Sequence, residues 1–513
     1  MKIHGSLLAR NTLINLIGQA LPLVVAVVTM PFVVRGLGLE RFGILALAWA
    51  VLGYFNIFDL GLGRAATKFV AEALGRDEQE RVPAIVWTTV SVQAAFGVVG
   101  GLILAGITPL LVELILNIPQ ELVVEARLSF YLLALSFPMV LISSSFRGAL
   151  EAAQRFDLVN AVRAPFSALN FLSPLVGVLL GWDLPGIVVL LVISRVLSLI
   201  ILYWLCIHVF PSLKGMFRFH RAELRALAGF SKWLTITNVV VPIFVYLDRF
   251  LIGSLLTISA VSYYTVPYEV VSRLLIIPAS LTGVLFPAFS SLSSNGDQDE
   301  LNVNVTRSIK YIATAMMLPT VIFLLFAEDI LRIWLGNDFA LESASVFRLL
   351  SVSVLFNAIG YIPFSLIQGV GRPDIVAKYL LIELPLYAGI AFFLILRLGI
   401  NGAALAWCLR MGWTIPIFSF LCIKIARVPL RAFIDNGTIR SLKGAGLLLM
   451  ISIPVAIGSN WGFAITGIFT AALLIGYAIF VWHIIFDPID KNLIRKLVGQ
   501  ARNFFKEEEE NTA

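Results

Sequence analysis

The chain is dominated by apolar stretches of about twenty residues or more, joined by short polar segments and running from Leu13 almost to the C-terminus. Twenty helical residues rise about 30 Å, which matches the hydrocarbon core of a bilayer. Measured against that length, spans fall near 10–34, 42–66, 82–110, 123–147, 158–181, 185–210, 228–253 and 260–289. Six more fall near 308–327, 343–368, 375–397, 401–423, 441–459 and 463–486. Charged residues make up 13% of the 513 positions, against about 25% in soluble domains. So little charge cannot cover a water-facing surface, and the apolar surplus must face lipid. The fold class is therefore an all-α integral membrane protein of about fourteen transmembrane helices. An even number of spans puts both termini on one side.

The net charge of +7 invites a nucleic-acid reading, but the placement of the bases excludes it. Lysines and arginines crowd the joints on one side of the membrane, 27 against 6 on the other, when the N-terminus is placed in the cytoplasm. Basic residues concentrate in cytoplasmic loops, so both termini are expected in the cytoplasm and the chain in the cell inner membrane. The bases of the 211–232 and 424–443 loops suit anionic lipid headgroups as well as topology. The run Glu507 to Glu510 reads as a solvated tail. Cys206, Cys408 and Cys422 lie inside apolar stretches without metal or disulfide spacing, and read as packing residues. The first apolar run is long enough to span and no small-residue cleavage site follows it, so it is expected to stay.

The two halves repeat one another. Pro22 precedes Pro242 by 220 residues. Gln154-Arg155-Phe156-Asp157 precedes Gly371-Arg372-Pro373-Asp374 by 217, Pro185-Gly186-Ile187 precedes Asn401-Gly402-Ala403 by 216, and Arg195 precedes Arg410 by 215. Six spans repeated by six, both starting inside, are related by an axis along the membrane normal, an arrangement of transporters with the path between the halves. The expected divisions are a lobe at 1–210, a cytoplasmic linker at 211–227, a lobe at 228–425, an extra helix pair at 438–487 and a cytoplasmic tail at 488–513.

Charges inside the spans carry the mechanistic content. One such charge costs about 2.5–3.5 kcal/mol on insertion scales, so each should face a cavity or a partner. Arg195 lies near the middle of span six and Arg410 at the matching depth of span twelve, neither with an acidic partner in its own span. A guanidinium stays charged and grips phosphate oxygens with two parallel donors. Asp248-Arg249 in span seven, and Glu269 and Arg273 four residues apart in span eight, read equally as pathway groups or as ion pairs locking helices. Arg195, Arg249, Arg273 and Arg410 are the candidate substrate-pathway residues. Asp59, Asp248, Glu269 and Glu383 are the candidates for ion coupling or gating. The sequence carries no phosphate-binding loop, no metal-ligand spacing among His4, His208, His220 and His483, and no external loop large enough for an active site. No catalytic residue, metal or cofactor is expected, and the chain is not read as an enzyme.

Arg10-Asn11, Gly18, Pro22 and Pro31 lead into Gly38-Leu39-Glu40-Arg41-Phe42-Gly43 and Asp59-Leu60-Gly61-Leu62-Gly63. Later come Trp334-Leu335-Gly336-Asn337-Asp338-Phe339, Gln368 to Asp374, and Gly399 to Ala406. In order and spacing this resembles the bacterial polysaccharide (O-antigen type) flippases of the multidrug/oligosaccharidyl-lipid/polysaccharide (MOP) exporter superfamily, over nearly the whole chain to about residue 425. The resemblance implies two six-helix lobes in a V with a cavity open alternately to each side. It also implies a polyprenyl-pyrophosphate-linked oligosaccharide as cargo, delivered for cell-surface polysaccharide, and an H+ or Na+ gradient as driver. A cationic cavity would then be supplied by the four arginines. Membrane lipids, a polysaccharide polymerase and glycosyltransferases are the implied partners. Spans thirteen and fourteen resemble the extra pair of the lipid II flippases, where that pair is associated with the lipid tail. The arginine pattern of those proteins near the first span is not matched. A lipid II-type flippase and a drug/ion antiporter of the same superfamily are the alternatives.

Overall fold

A computed structural model of the chain describes residues 5–214, 219–458, 462–492 and Arg495. Lys2, Arg218, Lys496, Arg502, Lys506 and the acidic run Glu507 to Glu510 lie outside them, as do the side chains of Arg10, Asn11, Gly18 and Ser231. The described residues hold no strand. The first half of the chain forms α1 (Gly5–Phe58), α2 (Leu62–Gly75), α3 (Val82–Leu110), α4 (Val123–Ala152), α5 (Phe156–Leu179) and α6 (Leu184–Val209). The second forms α7 (Arg221–Leu255), α8 (Ile258–Ser272), α9 (Ile276–Asn295), α10 (Gln298–Leu325), α11 (Ala327–Leu335), α12 (Asn337–Gly369), α13 (Pro373–Leu398) and α14 (Ile400–Ile425). Last come α15 (Leu430–Asp435), α16 (Thr438–Gly458) and α17 (Phe463–Phe480).

Thirteen helices among the described residues are long and apolar enough to cross a membrane. The count falls one short of the expected fourteen because α1 merges two spans. At 54 residues it would run about 81 Å, more than twice a bilayer core. Gly38 divides it, with φ 76° and ψ 166°, a conformation that glycine adopts without a Cβ clash. The tight 181–185 and 397–401 junctions are real helix breaks, each turned by a left-handed glycine, Gly181 at φ 70° and Gly399 at φ 59°.

The repeat recurs as local structure. The break at Gly38 is matched by the break after α7, where Leu256 leaves helical geometry at φ −118° and ψ −118°. Gln154 and Gly371 both take positive φ, 60° and 80°, and each precedes the same clip. Arg155 Nε donates to Asp157 Oδ1 at 3.0 Å, and Arg372 Nε donates to Asp374 Oδ1 at 3.0 Å. The extra helices α15 to α17 lie beyond the repeated stretch.

The chain divides into two compact units, residues 1–266 with 377–403, and residues 267–376 with 404–513. In the first unit, α3 meets α4 over Gly97 and Gly101. A Cβ on Gly97 would sit 2.4 Å from Pro138 Cα, and one on Gly101 would sit 2.7 Å from the Ala134 carbonyl oxygen. Small residues four apart permit this approach, and dispersion at close range is what holds helices together in lipid. A Cβ on Gly43 would fall 2.1 Å from the Ile258 carbonyl oxygen. Asn117 meets the carbonyls released where α7 stops. Its side-chain amide donates to Ser254 O at 2.9 Å and Leu256 O at 2.8 Å, and its backbone N–H donates to Gly253 O at 2.9 Å. The last carbonyls of a helix have no intrahelical donor, and these bonds supply three of them.

In the second unit a buried clasp ties α10 to the segment after α17. Lys310, wholly buried, pairs with Asp490, which also accepts from Tyr311 Oη. Arg307 Nη2 pairs with Asp487 at 2.9 Å. The two aspartates also cap the short helical segment that begins at Pro488, with Asp487 N–H donating to Asp490 Oδ2 at 3.0 Å and Asp490 N–H to Asp487 Oδ1 at 2.9 Å. This is a reciprocal box that satisfies orphan N–H groups at a helix start. Burial pushes the Asp490 carboxyl up, but the bonds from Lys310 and Tyr311 outweigh it and hold the group below its ordinary value.

Two outcomes follow. Gly97→Leu and Gly43→Leu should each lose about 1–3 kcal/mol of stability by overpacking, read as a lower melting temperature in detergent. Asp490→Asn should lose about 3–5 kcal/mol by leaving Lys310 charged and buried, whereas Lys310→Met with Asp490→Asn, which keeps an acceptor for Tyr311 and the Asp487 N–H, should recover most of it. Because the carboxyl is lowered in the folded state, the clasp's contribution is full above the ordinary aspartate value of about 3.9 and is lost as pH falls below it. A pH series of melting curves for the wild type against the double variant reads that loss.

Candidate functional site

The first unit holds Asp59, Arg195, Asp248, Arg249 and Glu383; the second holds Glu269, Arg273 and Arg410. Arg195 sits near the middle of α6, a helix of 26 residues or roughly 39 Å. Its Nη2 donates to Asn170 Oδ1 on α5 at 2.7 Å. No carboxylate among the described residues pairs with it, and its buried Nε–H finds no acceptor among them. The cation is therefore held by a neutral amide with its charge unspent.

Asp248 and Arg249 are both buried on α7. Asp248 Oδ1 accepts the Arg249 backbone N–H at 2.8 Å, and Oδ2 accepts the hydroxyl of Tyr264 on α8. The Arg249 guanidinium lies 5.1 Å over the centre of the Tyr246 ring, where the ring's electron-rich face offsets part of the lost hydration. Tyr246 in turn stacks edge-on against Tyr54 of α1, with centroids 5.4 Å apart. Glu383, buried on α13, accepts from the Tyr379 hydroxyl one turn earlier at 2.9 Å.

Asp59 closes α1 at a second break, where Leu60 and Gly61 both take positive φ. Its Oδ1 accepts from Gly63 N–H at 3.3 Å, Gln93 Nε2 at 2.5 Å and Ser144 Oγ at 2.8 Å. Ser145 Oγ donates to Gln93 Oε1. The carboxylate thus joins α2, α3 and α4 through neutral donors alone. A Cβ on Gly63 would lie 2.3 Å from Ser144 Oγ, so glycine is required for the cluster to close.

In the second unit Glu269 and Arg273 form the i, i+4 ion pair expected from their spacing, Nη2 to Oε2 at 3.0 Å. Arg410 is buried on α14. Sequence reading missed Asn170, Tyr264, and the trio Gln93, Ser144 and Ser145. Each is uncharged and lies within a largely apolar helix, and only the amides Gln93 and Asn170 offered a signal. No group of three or more His, Cys, Asp or Glu that could hold a metal ion occurs among the described residues.

The Asp59 cluster sets a direct test. Asp59→Leu should cost about 1–3 kcal/mol for each buried donor left without an acceptor, whereas Asp59→Asn keeps an acceptor oxygen and should stay near the wild-type melting temperature. Equal melting temperatures for the two variants would remove the cluster's structural role.

Residues 8–293, more than half of the chain, match the family described as polysaccharide biosynthesis protein. A Shigella flexneri protein named "Putative O-antigen transporter" is 29% identical over 420 residues, covering 82% of this chain and 98% of its own. A Haloferax volcanii protein named "Probable low-salt glycan biosynthesis flippase Agl15" is 27% identical over 279 residues, 53% of this chain and 57% of its own. Among solved structures, an inward-facing multidrug resistance MATE transporter of the MOP superfamily superposes with TM-score 0.70 at 15% identity, covering 80% of this chain and 95% of its own. The lipid II flippase MurJ, in an inward closed conformation, superposes with TM-score 0.66 at 14% identity, covering 93% of this chain and all of its own. The chain is a multi-pass membrane protein with the fold of the MOP-superfamily transporters, and it belongs to the polysaccharide biosynthesis protein family.

Proposed function

We propose that the protein is a flippase of the inner membrane that moves a polyprenyl-pyrophosphate-linked oligosaccharide from the cytoplasmic to the outer leaflet. The observation that carries this reading is Arg195, a guanidinium in the middle of a spanning helix whose described partner is an amide. A cation kept at that depth without a carboxylate costs insertion energy, and a transported anion supplies the compensation. A pyrophosphate fits, because its oxygens accept two parallel guanidinium donors. Arg410, at the repeat-equivalent position, takes the same role in the second half, with Arg249 and Arg273 along the path. The name carried by the Shigella relative supports a cell-surface polysaccharide as the destination, with a polymerase and glycosyltransferases as neighbours in the process.

Transport proceeds by alternating access, lobe 1–210 rocking against lobe 228–425 while the helix pair 438–487 serves the lipid tail. An H+ or Na+ gradient drives it. Of the four carboxylates, Asp59 is the first to test for coupling, since its described partners are all neutral donors. Both termini face the cytoplasm, as the distribution of bases predicts.

The test is a reconstituted assay for movement of lipid-linked sugar. Each charge-assisted hydrogen bond contributes about 1.5–3 kcal/mol, so Arg195→Ala and Arg410→Ala should each weaken transport by roughly ten- to a hundredfold at unchanged abundance. Arg195→Lys should rescue partly, since lysine keeps charge but loses the planar fork. If the arginines serve only as helix locks, the alanine variants lose melting temperature and keep their transport per folded molecule. Normal transport in both alanine variants ends the pathway reading.

A further inference from the structure

Arg195 is held in a way that distinguishes a binding cation from a structural one. A guanidinium carries five N–H donors and no acceptor. One is spent on Asn170 Oδ1 at 2.7 Å, and the Nε–H is buried without an acceptor among the described residues. No carboxylate among the described residues pairs with the cation, so its positive charge stays available to an acceptor. Asn170 lies on α5 between Pro165 and Pro174. Pro174 has no N–H to offer the carbonyl four residues back, which belongs to Asn170 itself, so the helix loosens at this residue. The side chain that meets Arg195 therefore stands at the residue whose backbone carbonyl has lost its helical donor.

We infer that Asn170 is a positioning residue for substrate, aiming the Arg195 guanidinium at an anion without neutralising it. The inference rests on the pathway role proposed above for Arg195. An aspartate is nearly the same size and would hold the guanidinium equally well, but its negative charge would occupy the cation and repel a pyrophosphate. An asparagine fixes direction through its oxygen, leaves the positive charge available, and keeps two N–H donors of its own on Nδ2 for a phosphate oxygen. The ligand class is a phosphate or pyrophosphate group; the sugar plays no part in this contact.

The experiment uses the full-length protein in lipid nanodiscs and proteoliposomes, with four chains: wild type, Asn170→Asp, Asn170→Ala and Arg195→Ala. The two readouts are the half-saturating concentration of inorganic pyrophosphate in a thermal-shift titration, and the split between KM and turnover for lipid-linked sugar. Asn170→Asp should raise both the pyrophosphate half-saturation and KM by about tenfold or more, with a ligand-free melting temperature equal to or above wild type. Asn170→Ala should raise them less, because the cation is freed but no longer aimed. A role confined to packing would lower the melting temperature of both Asn170 variants and leave KM unchanged, and that result overturns the inference. Wild-type KM in Asn170→Asp alongside a transport defect in Arg195→Ala overturns it while sparing the pathway reading. Wild-type behaviour in Arg195→Ala defeats both.

Discussion

Within hydrocarbon no water is available to complete a hydrogen bond, so every backbone amide and every charge within a span must find its partner in the protein or in a ligand. The helices answer for most of the backbone. The breaks in them show where the constraint acts hardest. At the end of α7 three carbonyls lose their helical donors, and Asn117 supplies both of its side-chain bonds and its own N–H to that region. At the end of α1 the orphan Gly63 N–H turns to the carboxylate of Asp59. A break in the helices therefore comes with a specific polar side chain beside it.

The same constraint sorts the charged side chains into two kinds. Lys310 and Arg307 meet the carboxylates of Asp490 and Asp487 directly. These pairs lock α10 to the segment after α17, and breaking the buried one exposes the full desolvation cost of the survivor. Arg195 is of the other kind, steadied by an amide that leaves its charge intact. A protein that only needed to fold would gain nothing from that arrangement. Coordination without neutralisation suits a site that must bind an anion and later release it, since a contact made too strong would hold the cargo in place.

Repetition gives the fold its economy. A break after about 33 residues of helix recurs at Gly38 and Leu256, the clip of arginine to aspartate two residues on recurs at Arg155 and Arg372, and left-handed turns recur at Gly181 and Gly399. The likeness extends to cost. Gln154 takes a left-handed conformation that L side chains resist, where the matching position holds Gly371 at no penalty. The clip and the turn geometry thus persist even where the residue best suited to them does not.

Apolar length and the distribution of charge were enough to read the all-helical membrane class and about fourteen spans. Those properties depend on transfer from water to lipid, which each segment carries in its own composition, and the i, i+4 pair of Glu269 and Arg273 is legible for a similar reason, being local to one helix turn. The partners were not legible. Asn170 for Arg195, Tyr264 for Asp248, Gln93 and Ser144 for Asp59, and Asp490 for Lys310 come from helices up to 180 residues away. A neutral polar residue in an apolar helix has no periodicity to announce it. Lys310 could be read only as one more base near a membrane surface, because its partner lies past the last span. Whether a charge is cancelled by a carboxylate or merely aimed by an amide depends on which side chain the packing brings within about 3 Å, and only the tertiary structure decides that.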